Sequence, residues 1–154
     1  MRIRKLFEKD LPVALDLVWS VFLCYEAPEY TQEGADVFRD FIAPDSIKRM
    51  TDGGILRFWG AFDGRRIVGV IALRGISHIS LLFIDSDFQQ QGIARALFEE
   101  TKREIAGEDC REITVNSSPY AVGFYERLGF TPLGPEQEKQ GIRFTPMTYR
   151  ISDA

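Results

Sequence analysis

Leu11, Leu15, Val18, Phe22 and Tyr25 recur at three- and four-residue intervals, which puts them on one stripe of an α-helix. Residues 2–7 ahead of them read as a first strand. Asp10 is placed to cap the helix start, with Pro12 tolerated in its first turn. The segment 26–30, Glu-Ala-Pro-Glu-Tyr, breaks the stripe. Thr31 and Gly34 then open a second helix that carries Val37, Phe38, Phe41 and Ile42, and residues 44–54 read as a short helix closing in a glycine turn. The period then changes to two. Residues 55–62 and 66–74 are strand-like runs joined at Asp63-Gly64, a strong hairpin signal. Residues 78–85 are almost wholly apolar, as in a strand buried on both faces.

Helical spacing returns after Gly92 with Ala94, Leu97, Phe98, Thr101 and Ile105. Residues 111–116 are a short strand, and 119–129 a helix stopped by Gly129. Residues 130–133 and 142–151 are C-terminal strands around a polar stretch, 134–141, expected to be a mobile surface loop. The strand, helix, strand run from 78 to 116 requires a parallel crossover, whereas the hairpins require antiparallel pairing. The expected fold is a single α/β domain over residues 1–154. It has a mixed, mainly antiparallel sheet of six or seven strands flanked by about four helices.

Composition narrows the function classes. A chain of 154 residues fits one domain with a sizeable core. Its net charge of −4 gives no basic field for nucleic acid and is compatible with a cationic small molecule. One histidine and two distant cysteines, Cys24 and Cys110, make a metal-ligand set improbable; both thiols read as reduced and the compartment as cytoplasmic. The basic-then-apolar start is interrupted by Glu8, Asp10 and Asp16, so it reads neither as a signal peptide nor as a membrane span.

The chemistry concentrates at residues 89–95, Gln-Gln-Gln-Gly-Ile-Ala-Arg. They lie between the apolar strand and the crossover helix. The first N–H groups of a helix lack intrahelical partners and sit at the positive end of its dipole. Gly92 and Ala94 keep that end open to close approach, which suits an anion such as a pyrophosphate. Neither a Gly-Lys-Ser/Thr P-loop nor a three-glycine dinucleotide fingerprint is present.

Gln89, Gln90, Gln91, Gly92, Ile93 and Ala94 resemble the Gln/Arg-x-x-Gly-x-Gly/Ala signature of the GNAT superfamily of acyl-CoA N-acyltransferases. Residues 115–130, Val-Asn-Ser-Ser-Pro-Tyr-Ala-Val-Gly-Phe-Tyr-Glu-Arg-Leu-Gly-Phe, are similar to that family's next segment. The likeness covers roughly the last hundred residues by motif and the first fifty by element order.

The resemblance implies a GNAT-like fold and transfer of an acetyl group from acetyl-CoA, the acyl-donor co-substrate, to a primary amine. Attack would be direct, in a ternary complex, on a small-molecule or peptide acceptor. It implies that Leu82, Phe83 and Ile84 pair with the pantetheine arm, that the amides from Gln90 to Arg95 hold the pyrophosphate, and that Asn116 contacts the arm. Tyr125 matches the tyrosine that protonates the departing thiolate. His78, at the start of the cofactor-facing strand, is the leading candidate for general base, with Glu26 and Glu29 as alternatives. Ser118 is expected as a helix N-cap. Glutamines stand where many members carry Arg or Lys, leaving Arg95 as the loop's cation. The family also leaves room for a homodimer on the C-terminal strands. A different class, a CoA-binding sensor or interaction module with weak catalysis, shares the same motifs.

Overall fold

A computed structural model describes residues 1–151. Five helices and eight strands alternate in the order β1 (Arg2–Lys5), α1 (Leu11–Tyr25), α2 (Gln32–Phe41), α3 (Pro44–Asp52), β2 (Leu56–Asp63), β3 (Arg66–Arg74), β4 (His78–Ile84), α4 (Ile93–Ile105), β5 (Glu112–Ser117), α5 (Val122–Leu128), β6 (Thr131–Pro132), β7 (Gln137–Lys139) and β8 (Ile142–Arg150). The sheet runs β1-β2-β3-β4-β5-β8-β6, with β7 also on β8. Only β4 and β5 pair in parallel; every other pair is antiparallel. The mixed, mainly antiparallel α/β architecture is as expected, with the short helix read at 44–54 present as α3 and one more strand than the pattern suggested.

The added strand lies in the polar stretch expected to be a mobile loop. Gln137–Lys139 form a hairpin with β8, registered Gln137 to Phe144 and Lys139 to Ile142. All three residues are exposed, so no apolar alternation marks them. The turn at Gln140 and Gly141, both at positive φ, reaches back to α2. The Thr31 N–H donates to the Gly141 carbonyl at 3.2 Å, while the Thr31 hydroxyl caps α2 by accepting from Gly34 N–H at 3.1 Å.

Helices cover both faces. Leu11, Ala14, Val18, Val21 and Phe22 of α1 pack with Ile42 and Ile47 against Phe58, Val70, Ala72, Leu81 and Phe83. On the other face Ile93, Leu97, Phe98 and Ile105 of α4, with Leu128 of α5, pack against Ile71, Leu73, Ile79, Ile113, Val115 and Met147. Each such Val, Leu, Ile, Phe or Met side chain, fully buried, contributes roughly 1.5–3 kcal/mol. The Trp59 ring belongs to this second core.

Three local expectations change. Asp10 does not cap α1; its carboxylate accepts from the Arg4 guanidinium at 3.0 and 3.1 Å and from Phe7 N–H at 2.8 Å, because a 3-10 turn at Glu8–Asp10 precedes the helix. Ser118 makes no capping bond; a 3-10 turn over Pro119–Ala121 carries the chain into α5 instead. The strand buried on both faces is β3, whereas β4 leaves Ser80 and Leu82 partly exposed.

Candidate active site

That partial exposure has a cause. β4 pairs with β5 only at His78–Thr114 and Ile79–Val115. On its other side, the register against β3 jumps from Ala72–Leu81 to Leu73–Ile79, leaving Ser80 as the extra residue of a β-bulge. A bulge bends its strand and raises the local twist, so β4 turns away from β5 at this point. From Ser80 onward the β5-side edge of β4 has no strand partner. A backbone edge of this kind can accept an extended ligand.

The opening continues to the start of α4. Gln89 Nε2 donates to the Ile84 carbonyl at 2.6 Å, closing the loop that leaves β4. Gln90 and Gly92 take φ of +58° and +79°, a region that side-chain-bearing residues rarely occupy. No side chain caps the helix, and the first bond along it runs from Ala96 N–H to the Gly92 carbonyl. The amides of Ile93, Ala94 and Arg95 are therefore left without intrahelical acceptors. A Cβ at Gly92 would meet nothing within 4 Å; its backbone angle requires glycine, and the space beside it is open.

A cleft of about 520 Å³ joins these features. Leu82, Phe83 and Ile84 form one wall, and Gln89, Gln90, Gly92, Ile93, Ala94 and Arg95 form the end at α4. Tyr125 stands across from them on α5. The sequence candidates thus converge, with four exceptions, of which the alternative base Glu29 is one. Gln91 is exposed in the loop and Asn116 is exposed one residue beyond the last β4–β5 pair; neither lines the cleft. His78 is also outside it. Its Nδ1 lies 2.8 Å from Thr114 Oγ1, in the seam where the two strands are still paired. Burial and the Arg74 charge hold its pKa below the usual imidazole value.

Several lining residues escaped the sequence reading. Arg127 supplies a second cation, and Arg95 donates to its carbonyl at 3.4 Å. Tyr25, the last residue of α1, stacks on Tyr120 at 5.3 Å between centroids, and both rings face the cleft. Only the fold brings these three segments together; each alone reads as surface or stripe.

Glu26, one of the acidic alternatives, does line the cleft. Burial and the neighbouring Glu29 carboxylate raise its pKa to about 7, against the opposing pull of the Ser118 hydroxyl. Tyr125 is 5% exposed. Burial, with the Glu26 charge, raises the pKa of its phenol, which keeps it protonated. Among the described residues Trp59 Nε1 is the one buried side-chain nitrogen or oxygen without a partner. Tyr125 itself lines the cleft.

The arrangement offers an unpaired strand edge, a cradle of main-chain donors with two cations, a protonated phenol and a carboxyl poised near neutrality. No helix among the described residues is long and apolar enough to cross a membrane.

Comparison with known proteins agrees. No curated protein is a significant sequence match. Among solved structures, a GCN5-related N-acetyltransferase from Rhodopseudomonas palustris superposes with a TM-score of 0.84 at 18% identity, covering 97% of this chain and 95% of that one. The PaiA N-acetyltransferase of Thermoplasma acidophilum, in complex with coenzyme A, gives 0.80 at 19% identity over 97% and 98%. The ribosomal-protein-S18-alanine N-acetyltransferase of Escherichia coli gives 0.71 at 17% over 99% and 95%. At such identities the likeness is one of fold. The sequence match to the acetyltransferase (GNAT) domain family spans residues 26–151, most of the chain and every element that lines the cleft except α1 before Glu26: this protein belongs to the GNAT acetyltransferase family.

Proposed function

We propose that this protein transfers an acetyl group from acetyl-CoA to a primary amine by direct attack in a ternary complex. The observation that carries the reading is continuity: the unpaired β4 edge leads directly into the uncapped start of α4, with the Tyr125 phenol opening on the same cleft. The coenzyme A held by the Thermoplasma relative supports the choice of donor. The residues present fit that donor. Residues 82–84 would pair with its pantetheine arm, and the amides from Gln90 to Arg95, with Arg95 and Arg127, would hold its diphosphate.

Acetyl-CoA supplies, when bound, an acyl group activated as a thioester. Glu26 takes a proton from the acceptor ammonium, leaving a neutral nitrogen able to attack; a base with pKa near the working pH is best matched to that task. Tyr125 donates its proton to the departing sulfur. The C–N bond forms as the C–S bond breaks, and the nitrogen gives up its second proton. The products are an acetamide and a free thiol, with one net proton released. Glu26 replaces His78 as the base because His78 is held at the paired seam, outside the cleft.

Thiol release from acetyl-CoA across a panel of amines and peptides tests the reading. Tyr125→Phe is expected to cut turnover at least about ten-fold, within the range for loss of a general acid, while acetyl-CoA affinity stays near normal. Thermal stabilisation by CoA with no thiol release from any acceptor would instead identify a binding module.

A further inference from the structure

We infer that the acceptor is an amine with no carboxylate beside its reacting nitrogen, carrying an apolar arm that lies along Tyr25 and Tyr120. This rests on the acetyl-transfer reading and narrows it. Charge is segregated along the cleft. Its lining cations, Arg95 and Arg127, sit together at the α4 end. Its lining carboxylate, Glu26, sits at the end of α1, with Glu29 one turn further on. The Arg143 guanidinium, near enough to Glu29 to sense its charge, is occupied by Glu136 at 3.1 and 3.4 Å. An α-carboxylate brought to this end would therefore meet like charge, with no cation among the described residues lining the cleft there.

Two further observations mark this end as a ligand surface. Tyr120 is 55% exposed, yet its ring is held against Tyr25 on the cleft wall, giving an apolar face beside the carboxylate. Tyr125, more than nine-tenths buried, lines the same space. A protonated amine with a hydrocarbon or aryl arm matches the carboxylate and the ring pair: its ammonium meets Glu26 and the ring faces, and its arm covers Tyr25 and Tyr120.

Matched pairs differing by one carboxylate test the inference: 2-phenylethylamine against phenylalanine, and 1,5-diaminopentane against lysine, each with acetyl-CoA. The carboxylate-free member is expected to have a kcat/KM at least about ten-fold higher, since like-charge contacts are strongly disfavoured in a desolvated site. Glu29→Gln, assayed at alkaline pH where Glu26 is ionised, is expected to narrow each ratio several-fold. Equal use of both members, or preference for the amino acid, overturns this inference and leaves acetyl transfer standing. Silence with every amine while acetyl-CoA still binds removes both.

Discussion

Glu26 and His78 divide the question of the base at the level of single residues. Glu29, Tyr30, Tyr120, Tyr125 and Ser118 surround Glu26 electrostatically, and its carboxyl must lose its proton before it can accept one. Activity should therefore fall as pH drops through about 7, where burial and Glu29 hold its pKa. In Glu26→Gln that acidic limb of kcat/KM is expected to vanish, with a loss of about 100-fold or more at the plateau. His78→Gln should keep the limb; its disappearance there would return the role to histidine. The Tyr125 phenol, its pKa raised, should add no alkaline limb in the neutral range. Tyr125 and Glu26 were open to a sequence reader, one through its motif and the other through its place in a helix break. Arg127 and Tyr120 were not, because their significance comes from neighbours more than twenty residues away in the chain.

The elements were legible wherever a helical stripe or a turn signal marks them. The stripe of α1 and the crossover through α4 follow from periodicity, and the β2–β3 hairpin from two apolar runs, largely buried on both faces, joined at Asp63-Gly64. The failures share a cause: local contacts that carry no hydrophobic period. β7 is three exposed polar residues paired to β8, and Asp10 serves Arg4 and Phe7 where a helix cap was expected. The β7–β8 turn also yields a prediction. Gly141 sits at φ +78°, and a Cβ there would collide with Thr31 and the Gly34 backbone. Gly141→Ala is expected to destabilise the fold by about 1–3 kcal/mol, the usual cost of a strained left-handed residue, read as a lower urea midpoint. A larger effect on acceptor KM than on acetyl-CoA KM should accompany it, because Thr31 lies just beyond the Glu26–Glu29 break.

At the scale of the whole molecule, the sheet is two parts, β1–β4 and β5–β8, joined by two residue pairs at His78 and Ile79. Backbone amides near the seam should exchange with solvent faster than those of β2 and β3 in the free protein. Saturation with acetyl-CoA at about 100 times Kd should slow globally limited exchange by roughly 100-fold, by mass action; amides around 78–84 and 112–117 should slow at least as much. Faster exchange in β2 and β3 than at the seam would contradict this division.

The bulge at Ser80 thus has a mechanical consequence. By ending a ladder early, it leaves main-chain groups of β4 facing the cleft, which the donor's own amide-bearing arm would pair. On the proposed reading, the molecule would borrow a structural rung at the start of each cycle and surrender it at the end, and departure of the spent carrier would coincide with relaxation of the two half-sheets.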